Sequence, residues 1–223
     1  MSVAKYRRAV TLIALGLSMV GCGERAAVKA PAKAPIKPAW VDAERLARAD
    51  EEPHNWFTTD RASGEDHYSP LTQIDQTNVG TLGFAWQFDT QTTRGLEASP
   101  IVIDGVMYTS GNWGRVYAVD AKTGAELWRY DPQVPGEWGR RPCCDVVNRG
   151  VAAWKGKIYV GSLDGYLIAL DAATGKELWR ADTLTDRTRY QTITGAPQIA
   201  GDKVIIGNGG AELGVRGYIT AVD

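Results

Sequence analysis

The chain has 223 residues, of which 44% are hydrophobic and 23% charged, and its formal net charge at pH 7 is −1. This balance excludes the strongly basic surface that nucleic-acid binding requires, and also the charge-rich, apolar-poor composition of a disordered chain. The 25 glycines and 8 tryptophans are typical of a globular protein built from β-strands and turns.

Residues 1–22 are predicted to be an export signal. Three basic residues precede an apolar run from Ala9 to Val20, which is too short for a membrane-spanning helix. The run ends in Leu-Ser-Met-Val-Gly-Cys, which resembles the lipobox of bacterial lipoproteins, although Met19 stands where Leu is usual. We expect a lipidated Cys22 at the mature N-terminus. An ordinary secretory signal with a coincidental cysteine is the alternative.

Residues 23–54 are predicted to be a linker followed by a short helix. The stretch 26–38 is rich in proline, lysine and alanine and has no apolar periodicity, as is typical of an extended tether. Asp42 is a candidate N-cap for a helix that ends near Asp50. The linker would suit a tether between a lipid anchor and a folded body.

The predicted folded body, residues 55–223, is organised around a repeated sequence. Val-Tyr-Ala-Val-Asp-Ala-Lys-Thr-Gly-Ala-Glu-Leu-Trp-Arg at 116–129 recurs in closely similar form at 167–180, and a third copy begins at Tyr218 and stops at Asp223. Each copy predicts two strands joined by an Asp-x-x-Thr-Gly turn. The aspartate can bond to backbone two residues on, and the glycine supplies a positive φ. Strands that repeat every 40 to 50 residues or so are typical of an all-β propeller.

Each predicted blade contains several strands. In blade one the four strands lie near 100–103, 106–110, 115–120 and 126–130. Blade two runs from about Val151 to Ala181, and blade three begins near Ala196. Glycine-containing hairpin turns are predicted at Asp104-Gly105, Lys155-Gly156, Leu163–Gly165 and Gly201-Asp202.

Two further elements are predicted before blade one. Thr72–Leu82 favours a helical turn, and the alternation in Gly83–Asp89 predicts a strand. In a closed propeller such a strand often completes the last blade. Because propellers need about four to eight blades, two to three blades lead us to expect the N-terminal fragment of a longer protein.

The insert between blades one and two, residues 131–150, contains two adjacent cysteines. If Cys22 carries a lipid, Cys143 and Cys144 are left as an even pair in an oxidising compartment. A disulfide between neighbours would be strained, because their Cα atoms are only about 3.8 Å apart. Two free buried thiols, or a bond from one cysteine to another chain, are the alternatives.

The insert also carries a specific resemblance. Cys-Cys-Asp-Val-Val-Asn-Arg-Gly, between two blades with the Asp-x-x-Thr-Gly-x-x-x-Trp repeat, resembles the quinoprotein alcohol dehydrogenases. The similarity extends from about Asn55 to Asp223 and includes several ordered motifs: Tyr-Ser-Pro-Leu at 68–71, Asn-Val-Gly-Thr-Leu at 78–82, Leu-Glu-Ala-Ser-Pro at 96–100, Pro-Gly-Glu-Trp-Gly at 135–139, Thr-Ile-Thr-Gly-Ala-Pro at 192–197 and Gly-Asn-Gly-Gly-Ala-Glu-Leu-Gly-Val-Arg-Gly at 207–217.

The resemblance implies a periplasmic enzyme with an eight-bladed propeller. Such an enzyme uses pyrroloquinoline quinone and a metal ion, usually calcium and in some cases a lanthanide. Its reaction would be hydride transfer from a primary alcohol to the quinone, and an acceptor such as a c-type cytochrome would remove the electrons.

The resemblance also implies roles for four residues around the quinone. Cys143 and Cys144 would form a disulfide ring stacked on one face of the cofactor. Glu97 and Arg149 would bind its polar edges, since an arginine fork suits carboxylates and the cofactor has three. Without the resemblance, Glu97, Arg149 and likewise Thr194 would each be interpreted as an ordinary surface or strand-end residue.

Four more residues receive roles in the same way. Thr194 would add a hydroxyl contact, and Gly210 and Ala211 would let the backbone approach the cofactor. Glu212 would be a calcium ligand, because hard cations prefer oxygen donors. The family's catalytic aspartate, a further asparagine ligand and the tryptophan beneath the quinone have no counterpart within the chain by motif match. The chain alone is therefore expected to be inactive.

The alternative function is a non-enzymatic lipoprotein scaffold. Propellers similar to components of the outer-membrane barrel-assembly machinery share the repeat, and the lipobox favours them. The dehydrogenase is favoured by the cysteine pair, by Glu97 and Arg149, and by the Gly-Gly-Ala-Glu stretch that ends at Glu212. The glycine-rich stretch 207–214 departs from the dinucleotide-binding spacing, and His54 and His67 form no zinc or haem motif. We expect no nucleic-acid partner, and membrane contact only through the lipid anchor.

Overall fold

The computed structural model describes residues 38–64 and 67–223. The predicted export signal, Cys22 and most of the predicted linker lie outside the described residues. Within the described part, no helix is long and apolar enough to cross a lipid bilayer.

The predicted short helix is present at the start of the described chain. Helix α1 (Ala43–Ala47) begins after Asp42, whose side chain accepts a hydrogen bond from the Arg45 amide at 2.9 Å. This is the N-cap arrangement that the sequence predicts. A 3₁₀ turn (Ala49–Glu51) follows, and a second one (Val79–Thr81) lies in the stretch predicted to hold a helical turn.

Three antiparallel sheets form the framework of the described chain, and each corresponds to one predicted blade. In every sheet, strands that follow one another in the chain are hydrogen-bonded neighbours. Their bounds are β1 (Ile101–Ile103), β2 (Val106–Ser110), β3 (Val116–Asp120) and β4 (Glu126–Tyr130) in blade one; β5 (Ala152–Trp154), β6 (Lys157–Gly161), β7 (Tyr166–Asp171) and β8 (Glu177–Asp182) in blade two; and β9 (Gln198–Ala200), β10 (Lys203–Gly207) and β11 (Ile219–Val222) in blade three. The predicted β-propeller architecture is confirmed.

The repeated turn has the predicted glycine conformation, and its aspartate accepts hydrogen bonds from the residues that follow it. Gly124 and Gly175 have φ angles of 73° and 71°. The Asp171 carboxylate accepts hydrogen bonds from the amide and hydroxyl of Thr174 at 2.9 and 2.7 Å. The carboxylate thus reaches three residues on, because the threonine offers two donors there. In the first copy, the Asp120 carboxylate accepts the predicted hydrogen bond from the amide two residues on, that of Lys122, at 3.1 Å, in addition to those from Thr123.

The tryptophan of the repeat joins one blade to the next. Trp128 is 7% exposed, and its indole N–H donates to the Ala172 carbonyl of blade two at 3.0 Å. Its ring covers the following turn so closely that a Cβ on Gly175 would lie 2.5 Å from the Cε3 atom of Trp128. Glycine at this position is therefore required for the packing of neighbouring blades.

The strand predicted at Gly83–Asp89, which was expected to complete the last blade of a closed propeller, stays a prediction. In the described part of the chain no strand pairs with this segment, although Trp86 and Phe88 are less exposed than their immediate neighbours. The alternation arises because one face of the segment packs on blade one. The Trp86 indole donates to the Ala121 carbonyl at 3.2 Å, and its ring covers Gly124. Trp86 therefore makes to blade one the contact that Trp128 makes to blade two.

Neighbouring blades are aligned so that their first strands begin at the same end, here called the upper end. Ser99 and Gly150, which precede β1 and β5, form a parallel bridge. The Arg149 amide donates to the Thr194 carbonyl, before β9, at 2.9 Å. The hairpin turns after these strands lie at the opposite end. Sequence motifs that precede each first strand are thereby brought together.

Candidate functional site

Three of the residues with proposed cofactor contacts meet at the upper end. Arg149 forms an ion pair with Glu97, with Nη2 and Oε2 3.0 Å apart, and its Nη1 donates to the Thr194 hydroxyl at 2.7 Å. Each comes from the segment before a different first strand, so three blades contribute one side chain each. The Glu97 and Arg149 side chains are 42% and 44% exposed, which leaves the guanidinium accessible to a ligand.

A buried asparagine that the sequence interpretation left without a role fixes the backbone beside Arg149. Asn148 is 2% exposed and accepts a hydrogen bond from the Ser110 hydroxyl at 2.6 Å. Its amide donates to the Gly161 carbonyl at 2.7 Å, and its oxygen also accepts from the Gly150 amide at 3.2 Å. The only available signal was its place within the Val-Asn-Arg-Gly motif.

The adjacent cysteines lie on the outer surface of the insert. Their sulfur atoms are within bonding distance, and the two Cα atoms are 3.8 Å apart. Both residues are exposed, so the alternative of buried thiols was wrong. The insert is supported by a small apolar cluster in which Trp138 and Val146 pack against Leu163 of blade two. The two cysteines therefore lie exposed on an insert that packs on blade two.

The segment that carries Glu97 is tied to the insert and to blade one. Arg94 forms an ion pair with Asp145, the residue directly after the cysteines. The side-chain amide of Asn112 donates to the Gly95 carbonyl at 2.9 Å. These two contacts hold the glutamate segment beside the cysteine pair, and neither was anticipated from the sequence.

The predicted backbone-approach residues lie in the loop after β10, which ends at the upper end. Gly210 is buried with a φ of 117°, and a Cβ there would lie 2.4 Å from the Tyr190 carbonyl oxygen. Ala211 and Glu212 are exposed. Within the described residues Glu212 does not contact the Arg149 cluster, and no group of three or more His, Cys, Asp or Glu residues could hold a metal ion. The structure thus presents Glu212 as a single exposed carboxylate.

The family model described as "PQQ: Glucose/ethanol/alcohol dehydrogenase, beta-propeller domain" matches residues 56–215. The chain belongs to this family. The match includes every residue of the upper end discussed above, and it confirms the predicted resemblance to quinoprotein alcohol dehydrogenases.

Curated relatives agree with this assignment. The quinohemoprotein alcohol dehydrogenase ADH-IIG of Pseudomonas putida is 55% identical over 193 residues, covering 86% of this chain and 27% of that protein. The 1-butanol dehydrogenase (cytochrome c) of Thauera butanivorans is 55% identical over 168 residues, covering 75% of this chain and 24% of that protein. The chain spans about a quarter of the length of these relatives.

Solved structures show the same fold. The quinohemoprotein alcohol dehydrogenase from Comamonas testosteroni superposes with a TM-score of 0.79 at 54% identity, covering 82% of this chain and 27% of that one. A europium-containing methanol dehydrogenase superposes with a TM-score of 0.76 at 43% identity, covering 81% of this chain and 32% of that one.

Proposed function

We propose that this chain is the N-terminal part of an exported dehydrogenase that oxidises primary alcohols with pyrroloquinoline quinone. The observation that carries the proposal is the contact of Arg149 with Glu97 and Thr194, together with the exposed pair of adjacent cysteines on the same insert as Arg149. Family membership favours this function over the lipoprotein scaffold, because a scaffold has no use for such a constellation.

The donor set at the upper end fits the chemistry of the quinone. Arg149 is permanently charged and planar, so it can bind a carboxylate through two parallel hydrogen bonds. Glu97 and Thr194 hold two of its nitrogens and thereby fix the orientation of the fork. Since the guanidinium is only half-buried, its remaining donors can reach a ligand.

The cysteine pair would form one face of the cofactor site. We propose that Cys143 and Cys144 are joined by a disulfide whose exposed side stacks on the flat quinone. Gly210 and Ala211 would bring backbone against the cofactor, and Glu212 would supply one oxygen ligand to calcium or to a lanthanide. When bound, the quinone and its metal ion would supply the hydride acceptor and the polarising charge that alcohol oxidation requires.

The residues of this chain bind and orient, and we assign none of them the role of catalytic base. We propose that the base, further metal ligands and the opposite wall of the site come from beyond the chain, so that the 223 residues alone are inactive. Relatives named as quinohemoprotein and cytochrome c enzymes support an electron acceptor of the c-type cytochrome class.

The proposed location is the periplasm. Export rests on the N-terminal signal, and tethering rests on lipidation of Cys22, with the linker spanning from the anchor to the propeller. Membrane contact would then occur through the lipid alone.

The function is tested by a dehydrogenase assay with an artificial electron acceptor, primary alcohols, quinone and calcium. A protein extended through the downstream reading frame should turn over, and the 223-residue chain should not. Turnover by the short chain would contradict the placement of the catalytic base outside it. Activity in neither protein would favour the scaffold.

A further inference from the structure

One arginine that no cofactor role explains holds the cysteine insert in place. The guanidinium carbon of Arg141 lies 3.8 Å from the centroid of the Trp138 ring. Its Nη1 donates to the carbonyl oxygens of Arg187 and Arg189 at 2.9 and 3.0 Å. Arg141 lies two residues before Cys143, so these contacts act directly on the segment that presents the cysteine pair.

The partners of Arg141 belong to a different connection. Arg187 and Arg189 lie between blades two and three, on the segment that leads to Thr194. Arg187 is itself fixed, because its Nε donates to Asp182 at 2.7 Å and its guanidinium lies 4.5 Å from the Tyr166 ring centroid. Arg141 therefore ties the cysteine insert to an anchored segment that carries another proposed cofactor contact.

The contacts depend on the shape of arginine as well as on its charge. A planar guanidinium can stack on an aromatic ring while one nitrogen donates to two carbonyls, and a lysine ammonium cannot reproduce this geometry. The side chain of the neighbouring Arg140 is exposed and makes no hydrogen bond, ion pair or ring contact within the described part of the chain. It offers a matched control one residue away.

We propose that Arg141 is a positioning residue that sets the place of the Cys143–Cys144 pair relative to Thr194. That the position of the cysteine pair matters for quinone binding rests on the proposed function. The effect of Arg141 on the cysteine pair does not depend on that function. Because the cysteine pair is already exposed, loss of Arg141 should act by freeing the insert to move, so that an attacking thiolate can line up with the S–S bond more often.

The test compares Arg141→Gln, Arg141→Lys and Arg140→Gln in the 223-residue chain without quinone. Reduction of the cysteine pair by dithiothreitol is followed by counting alkylated thiols over time. Arg141→Gln should accelerate reduction about tenfold, as expected when a charge-assisted hydrogen bond and a cation–π contact that hold a local conformation are lost. Arg141→Lys should lie in between, and Arg140→Gln should match the wild type.

A second control separates local positioning from general destabilisation. Gly201→Ala introduces a side chain at a φ of 59° at the opposite end of the sheets, so it lowers global stability without touching the insert. It should leave the reduction rate unchanged. Equal rates for Arg141→Gln and Arg140→Gln, or acceleration by Gly201→Ala to the same extent, would overturn the inference.

Quinone titration of the downstream-extended protein keeps the two proposals distinguishable. If the wild-type protein binds no quinone but Arg141→Gln still accelerates reduction, the proposed function fails and the positioning role stands. If quinone binds and the reduction rates are equal, the positioning role fails and the function stands. Free thiols in the wild-type chain would overturn the positioning role.

Discussion

Replacing Gly175 with alanine should loosen the junction between blade one and blade two. Gly175 has a φ of 71°, and the added Cβ would lie 2.5 and 2.6 Å from two ring atoms of Trp128. An L-residue in the left-handed region costs about 1–2 kcal/mol. Forcing an extra carbon into a packed contact costs about 1–3 kcal/mol more. We therefore expect the free energy of unfolding to fall by roughly 2–5 kcal/mol.

A variant at a second glycine separates the cost of the backbone conformation from the cost of the crowded packing. Gly201 has a φ of 59°, but no atom lies within 4 Å of the Cβ that alanine would add. Gly201→Ala should therefore lose only the conformational term of about 1–2 kcal/mol. The difference between the two variants measures the packing of the tryptophan against the turn.

Urea unfolding followed by tryptophan fluorescence provides the assay. The slope of the unfolding free energy against urea should be the same in all three proteins, so that the midpoints report stability alone. Equal losses for Gly175→Ala and Gly201→Ala would refute the conclusion that Trp128 docking on this turn stabilises the junction between the blades.

Three further predictions follow from the described residues and the sequence. Non-reducing peptide mapping of the exported protein should yield one peptide containing Cys143 and Cys144 that gains two hydrogens on reduction; alkylation of both thiols without reductant would disprove the bond. Glu52→Gln should lower stability at neutral pH, because the hydrogen bond from Arg45, 2.6 Å long, lowers the pKa of Glu52 below its ordinary 4.5. The stabilisation from this hydrogen bond is fully present above pH 4.5 and is lost as the pH falls through the lower folded-state pKa of Glu52. The unfolding curves of the variant and the wild type should therefore converge in acid. A stability difference that stays constant with pH would contradict this explanation. Cys22→Ser should move the protein from the membrane fraction to the soluble periplasm, whereas an unchanged soluble distribution of both proteins would rule out lipidation.

The blades could be predicted from the sequence because the residues that define each blade lie close together in the chain. The repeat places the aspartate, threonine, glycine and tryptophan within one hairpin, and each acts on its own turn or on the next blade. The segment Gly83–Asp89 shows the limit of such signals. Alternation reports that one face is covered, here through Trp86, but it cannot show whether a neighbouring strand supplies hydrogen bonds.

The sequence predicted which residues belong to the candidate site, but it did not predict the contacts that hold the surrounding segments in place. The family resemblance identified Glu97, Arg149 and Thr194. They meet because the first strands of neighbouring blades begin at the same end of the sheets. The contacts of Arg141 could not be inferred, because its partners are backbone carbonyls some 46 and 48 residues away that any sequence would provide. Asn148 was overlooked because a buried amide and a surface amide look alike in a motif.

The central claim is tested most directly by titrating the downstream-extended protein with pyrroloquinoline quinone in the presence of calcium. The wild-type protein should bind one equivalent, and Arg149→Gln should bind at least about tenfold more weakly, because a charged, bidentate contact to a carboxylate is lost. Arg129→Gln, which removes an exposed arginine paired with Glu126 on β4, should bind as the wild type does. Equal affinities of the wild-type and Arg149→Gln proteins, or no binding by the wild type, would contradict the assignment.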